Sequence, residues 1–348
     1  MGCACTNNCG KSTEELSEFN PNYRKNSNQL KEIIVNNPKL LSSLIKIQSN
    51  YRGKKIRETI KPKLNKINDV SQNKINYQPN QTSQSNIIID DELNLLLKIY
   101  PPLNDNIQVE ITSPIEYPTN RSIYFGEWDL KNNVRHGRGI LIWPEGSKYS
   151  GYWVGDKANI KGKLIHSDGD IYEGEWSDDK PNGKGIYYHK DGTIYEGDWK
   201  NDKQDGFGKE KWVDGAWYEG EYKEGKKHGK GKFHWSDDSY YEGNFVENNI
   251  SGKGLYIFHD KRKYEGNWEN NRLHGYGIFT WPDGRKYEGD YQYDKKEGYG
   301  IFTWNDGKQY KGFWKDGKQN GEGEFFFPSE NIWKKGIWEN GKRIKWIE

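Results

Sequence analysis

At 348 residues the chain is long enough for one to three domains. Its 53 Lys+Arg against 51 Asp+Glu leave a formal charge of +2 at pH 7, a balance that gives no overall field for nucleic acid or an acidic substrate. No run of about 18 apolar residues exists, which excludes a helical membrane span.

The N-terminus, Met1-Gly2-Cys3-Ala4-Cys5-Thr6, fits the N-myristoylation pattern, with Gly2 freed by loss of Met1 and Thr6 at the required place. One myristoyl chain holds a membrane only marginally, so a second signal is needed. Cys3 and Cys5 are the candidates for S-palmitoylation, and Cys9 is a third. These are the only cysteines. A disulfide-stapled secreted scaffold would spread its cysteines, and no secretory signal is visible, so a reducing, cytosolic setting is expected. A zinc site on three cysteines would lack its fourth ligand. Gly10-Lys11-Ser12 is not a phosphate loop, because Cys5 stands where that motif requires Gly. Residues 1–36 are expected to be an acylated, mostly disordered tail.

Residues 37–62 are expected to form a helix, with Asn37 at the N-cap, Pro38 in the first turn and Pro62 as the next break. From Pro38 to Lys66 nine basic residues face one acidic residue, Glu58, a net of +8. Within it, Ile47-Gln48-Ser49-Asn50-Tyr51-Arg52-Gly53-Lys54-Lys55-Ile56-Arg57 resembles the IQ motif at every defining position: Ile47, Gln48, Arg52, Gly53 and Arg57. The resemblance implies calmodulin or a calmodulin-like EF-hand protein as partner. Leu40, Leu41, Leu44 and Ile45 add an apolar stripe, and the basic face suits an acidic partner. The plainer readings are an ordinary basic amphipathic helix or a segment drawn to anionic lipid. Residues 63–86, rich in Asn, Gln, Lys and Ser, read as a linker. Residues 87–122 read as an N-terminal cap. It holds a short helix from Asp90 to Tyr100, stopped by Pro101-Pro102, and a strand over Val109 to Ile115.

From Tyr124 onward one frame returns. Its first tyrosines are Tyr124, Tyr149, Tyr172, Tyr195, Tyr218, Tyr241, Tyr264, Tyr287 and Tyr310, with a first step of 149−124 = 25 residues and later steps of 23. A fixed period marks a repeat architecture. Each copy opens with Tyr-x-Gly-x-aromatic: Tyr172, Gly174 and Trp176, then Tyr195, Gly197 and Trp199. Spacing of two puts these on one strand face, and Glu173 and Glu175 are expected to point to water. A polar turn over Asp178 to Asn182 should follow, then a second strand carrying Gly183 and Gly185, or Gly206 and Gly208 in the next copy. Asp-Gly pairs such as Asp168-Gly169 close the unit and carry the strongest short hairpin signal. The strand glycines give flat rings room to lie over bare backbone. One hairpin cannot hide its aromatic face alone, but stacked neighbours can. The expected fold is therefore mainly β, an elongated single-layer array of antiparallel β-hairpins on the order of 90 Å long.

These residues resemble the MORN repeat family, with nine copies over 123–331 and a degenerate end segment, 332–348, as C-terminal cap. The association is with MORN-repeat proteins of the ciliate type. Copy two departs, with Ile160 in place of its first Gly, and copy six carries Phe245 where Trp is usual. Some MORN arrays accompany a phosphoinositide kinase or a lysine methyltransferase domain, but too few residues follow the ninth copy for either. No nucleophile elbow, dinucleotide fingerprint or kinase signature appears. His136, His228 and His274 precede Gly-x-Gly and are expected in turns, not as metal ligands. No catalytic residue, metal or cofactor is expected. The expectation is a non-catalytic scaffold, held at the cytosolic face of the plasma or ciliary membrane by acylation and bound to calmodulin. Its array would hold a cortical, cytoskeletal or ciliary protein. The alternatives are a phospholipid-binding module acting through the repeats, or an axonemal component without membrane attachment. Open strand edges allow a homodimer.

Overall fold

The computed structural model describes residues 82–347, with side chains from residue 91 onward. The described residues divide into two compact units, the first ending at Lys190 and the second beginning at Asp191. The first contains the one helix among the described residues, α1 (Thr82–Ile99), and strands β1 (Val109–Ile111), β2 (Ile115–Glu116), β3 (Ile123–Asp129), β4 (Val134–Ile142), β5 (Lys148–Val154), β6 (Lys157–Ile165), β7 (Ile171–Ser177) and β8 (Lys180–Tyr188). The second runs from β9 (Ile194–Lys200) and β10 (Lys203–Lys211) through to β22 (Lys342–Ile347). Each unit is an open antiparallel sheet in which strands from β3 onward pair with their neighbours in sequence.

The helix begins at Thr82, not Asp90, and so reaches into the stretch read as a linker. Its polar first turns carry no apolar period, but helix propagates readily from a packed turn. That turn carries Leu93 and Leu96, which pack on Ile123, Phe125, Ile140 and Ile142. Pro101 and Pro102 follow immediately and cannot continue the ladder. Strands β1 and β2 both pair with β3, so its outer edge is not left open.

The repeat frame is realised as hairpins, with turn chemistry that the dipeptide signal misassigns. From the second copy onward the two-residue primed turn lies inside the hairpin, as at Asp178-Asp179 (φ 49° and 65°) or Asn201-Asp202 (φ 48° and 70°), whereas the first hairpin turns over residues 130–133 with a positive φ at Asn133. Asn and Asp tolerate this left-handed region better than other side chains, and its twist matches that of the strands. The Asp-Gly pairs sit between hairpins in a wider loop. There Gly169 donates to the His166 carbonyl at 3.0 Å and His166 donates to the Asp170 carbonyl at 2.8 Å.

The polar turn predicted over 178–182 is also shorter than expected, since β8 already starts at Lys180. The extra residues are absorbed by a bulge: Trp176 faces Pro181 while Gly174 faces Gly185. One strand thus advances two residues while the other advances four. Gly183 lies in the bulge at φ +102°. Its requirement is therefore backbone conformation, whereas Gly185 is needed for space. Copy two puts Ile160 at the bulge position with φ 61°. A β-branched residue there is strained by about 1–3 kcal/mol. Ile160→Gly should relieve that strain at the expense of about 0.5–1 kcal/mol of chain entropy. The expected result is a rise of a few degrees in the melting transition of the first unit, read by circular dichroism.

Candidate functional site

The repeat core is built from one tyrosine per hairpin. Tyr172 lies over Gly174 and Gly185, which face each other across the ladder. Its hydroxyl turns back to donate to the Glu175 carbonyl at 2.8 Å. All nine repeat tyrosines make this bond to the residue three ahead, at 2.6–3.0 Å. The six from Tyr195 to Tyr310 are 0% exposed, and burial raises the Tyr195 phenol well above its usual range. The next aromatic stands edge-on to two tyrosines. Trp176 meets Tyr149 at 5.1 Å and Tyr172 at 5.2 Å. Its indole N–H reaches back to the Gly162 carbonyl at 3.1 Å. Each ring thus serves its own hairpin and the one before. Gly197 and Gly208 pair beneath Tyr195, Trp199 stands edge-on to that ring at 5.3 Å, and Gly206 occupies the bulge at φ +114°.

Two polar devices fasten the array, one across each bulge within a hairpin and one between successive hairpins, and the repeat pattern gives no sign of either. Glu175, expected to point to water, folds over the bulge and accepts the Lys184 N–H at 3.2 Å. Asp198 does the same for Phe207 at 2.9 Å. At the primed turns, the second residue binds the turn one repeat earlier. Asp179 donates its N–H to the Ala158 carbonyl at 3.0 Å and accepts the Ala158 N–H on its carboxylate at 2.7 Å. Asn248 repeats this with Lys227, and Asp294 with Leu273. Where Gly225 fills that place, Asp205 accepts the Glu224 N–H at 3.1 Å instead.

The second residue after the hairpin turn differs sharply in chemistry from copy to copy. Arg135 is fully buried, 4.1 Å from the Trp153 ring centre, with its Nε 3.0 Å from Asp156. Lys227, in the same place, pairs with Glu210 at 2.8 Å beneath Trp212, and Tyr222 donates to that carboxylate at 2.9 Å. Lys296 has no such carboxylate among the described residues. Its ammonium lies 4.4 Å from the Phe302 ring centre, 4.7 Å from Trp314 and 4.8 Å from Tyr287. Burial, reinforced by the charge of Arg285, lowers its pKa to about 8. A repeat-aligned column of residues would have revealed this position, because cations there alternate with Ala158, Pro181, Ile250 and Leu273 and with the uncharged Gln204 and Gln319.

The histidines expected in turns lie on strands, in the bulge where the ladder register shifts just before Gly-x-Gly. His136 is buried and 2.8 Å from Asp105; that hydrogen bond holds the Asp105 carboxyl below its usual range. Among the described residues, no group of three or more His, Cys, Asp or Glu is placed to hold a metal ion. No described helix is long and apolar enough to cross a membrane. Gly2, Cys3 and Cys5, and the IQ residues Ile47, Gln48, Arg52, Gly53 and Arg57, lie outside the described residues.

The opposite sheet face carries the side chains that remain open. Lys209 pairs with Glu219, and Lys232 with Glu242, each at 3.3 Å. Phe207, Tyr276 and Tyr299 stand about half exposed beside them. In the second unit these rows border a glycine-floored trough of about 840 Å³, lined among others by Lys253, Leu255, Glu265 and Ile278.

Such features define a class: tandem β-hairpins, each closed by a tyrosine over facing glycines. The MORN repeat family model matches residues 124–148, 149–171, 172–194, 195–217, 218–240, 241–261, 264–284, 287–309 and 310–332, and the chain belongs to this family. No curated protein matches the chain. Among solved structures, it is similar to the TCP10 domain of Danio rerio CPAP in complex with a peptide of Danio rerio STIL. The identity is 13% and the TM-score 0.37, over 61% of this chain and 94% of that one. It is also similar to the SAS-4 (dCPAP) TCP domain of Drosophila melanogaster in complex with a proline-rich motif of Ana2 (dSTIL), at 13% identity and a TM-score of 0.28, over 54% and 93% of the two chains. Likenesses of that strength carry no argument about this protein.

Proposed function

We propose that this MORN-repeat chain is a non-catalytic scaffold at the cytosolic face of a membrane. Acylation at Gly2, Cys3 and Cys5 supplies the anchor, on the two-signal logic of lipid attachment. The segment around Ile47, Gln48, Arg52, Gly53 and Arg57 takes calmodulin or a related EF-hand protein. The array presents its open face to a cortical or ciliary protein. The observation that carries the reading is the division of labour between faces: one is closed by its own rings, while the other leaves paired charges, half-exposed aromatics and a trough available.

The anchor and the calmodulin site are tested separately. Cells expressing the chain should incorporate fatty-acid analogues, and Gly2→Ala should move the protein from the membrane pellet to the soluble fraction. Unchanged fractionation would remove the anchor. Full-length protein should be captured on immobilised calmodulin, and Ile47→Ala with Arg52→Ala should weaken capture about tenfold or more. Equal capture would remove the assigned motif.

A further inference from the structure

The first unit shows what can cover the open face of a hairpin. Helix α1 lies on β3 and β4, with Leu93 and Leu96 on Ile140 and Ile142, which are 2% and 3% exposed. Two cations hold it. Arg138, between the glycines of β4, donates to the Leu97 and Tyr100 carbonyls at the helix end, at 3.1 and 2.9 Å. Lys148, paired across the ladder with Ile142, binds Glu92 at 2.9 Å. The seat therefore reads as cation, two apolar residues at the second and fourth places beyond it, and a second cation at the tenth.

The second unit contains the same arrangement, with no cover on it among the described residues. Strands β13 (Tyr240–Val246) and β14 (Asn249–Ile257) form the hairpin, and β15 (Lys263–Glu269) follows. Lys253 stands between glycines as Arg138 does. Leu255 and Ile257 occupy the places of Ile140 and Ile142, and Lys263 pairs with Ile257 as Lys148 pairs with Ile142. Leu255 and Ile257 are only half-buried, whereas Lys253 and Lys263 are exposed and have no ion pair among the described residues. Glu242 and Tyr240 replace Phe125 and Ile123, giving the seat a more polar flank.

We propose that hairpin β13–β14, with Lys263 of β15, is a docking site for an amphipathic helix of a separate partner. This rests on the scaffold reading and deepens it by stating the partner's chemistry. The helix carries two leucines three residues apart to cover Leu255 and Ile257. An acidic side chain just before the first leucine meets Lys263, and the helix end offers free carbonyls to Lys253. The argument is charge complementarity together with the occupied seat on the same slots of the first hairpin.

The probe is a fluorescein-labelled peptide with the sequence of residues 82–100, titrated by anisotropy into the full-length protein. Saturable binding is expected. Lys253→Glu with Lys263→Glu should weaken it about tenfold or more, as should Leu255→Asp, while Lys230→Glu, one repeat earlier, should leave it within about twofold. Both lysines are exposed, so the double variant should melt like the wild type. No binding, or binding indifferent to Lys253 and Lys263, would overturn the site. Sedimentation showing a dimer that the double variant dissociates would also overturn it, by making a second copy the occupant. Failure here leaves the acylation and calmodulin tests untouched, so the two readings can fail separately.

Discussion

Gly185→Ala is expected to destabilise the first unit by about 3–5 kcal/mol, combining overpacking with loss of a buried hydrogen bond. A Cβ on Gly185 would lie 2.5 Å from Cε2 and 2.6 Å from Cζ of Tyr172. The ring has nowhere to retreat, since its hydroxyl is tied to the Glu175 carbonyl and Trp176 stands against it. The loss should appear as a lower urea midpoint for the unfolding step of that unit. Gly155→Asn is the matched control. It lies at a turn with φ +56° and nothing within 4 Å of its Cβ, so a change of about 0.5 kcal/mol or less is expected. Equal effects at the two sites would mean that ring-over-glycine packing does not hold the hairpin.

The second large effect separates two lysines in the same repeat position. Lys227→Met should destabilise the second unit by about 3 kcal/mol, because the largely buried Glu210 carboxylate loses its cation. Lys296→Met should do the opposite. It replaces an amine held among rings without a carboxylate, and a gain of about 1 kcal/mol at pH 7 is expected after allowing for partial exposure. The pH dependence gives a further check. The folded-state pKa of Lys296 is lowered to about 8, so between that value and the ordinary lysine range the unfolded chain binds more protons. Wild-type stability therefore rises relative to Lys296→Met as pH increases from about 8 to 10.5. The advantage of the variant should shrink over that window. A constant difference from pH 7 to 10 would refute the account of Lys296.

How much of this was readable in the residues differs from layer to layer. Tyr172, Gly174 and Trp176 recur at a spacing that only a strand satisfies, so the hairpin and its inward face follow from periodicity. The turns do not. Asp168-Gly169 looks like a two-residue hairpin turn, yet the residues that take both positive φ values are Asp178 and Asp179. Their second hydrogen-bond partner is one repeat away, beyond any local window. Glu175 was equally opaque, because alternation places it outward while the bulge bends it onto the Lys184 N–H. The cationic position of Arg135, Lys227 and Lys296 escaped for another reason: a long polar side chain beside a turn ordinarily reads as solvated. Helix α1 was visible at its leucines and invisible where its sequence is polar.

The turn-to-turn bonds bear on how the array can change length. Asn248 reaches only to Lys227 and Asp294 only to Leu273, so each of these Asn and Asp clips spans 21 residues. Excising one period inside the second unit would present each severed clip with an equivalent acceptor from the hairpin behind. Growth or shrinkage by a whole copy should therefore be tolerated, whereas a cut of half a period would leave Asn or Asp side chains facing no amide. Gene-level duplication and loss thus meet little structural resistance here, and what is at stake in each event is which outward side chains arrive or depart.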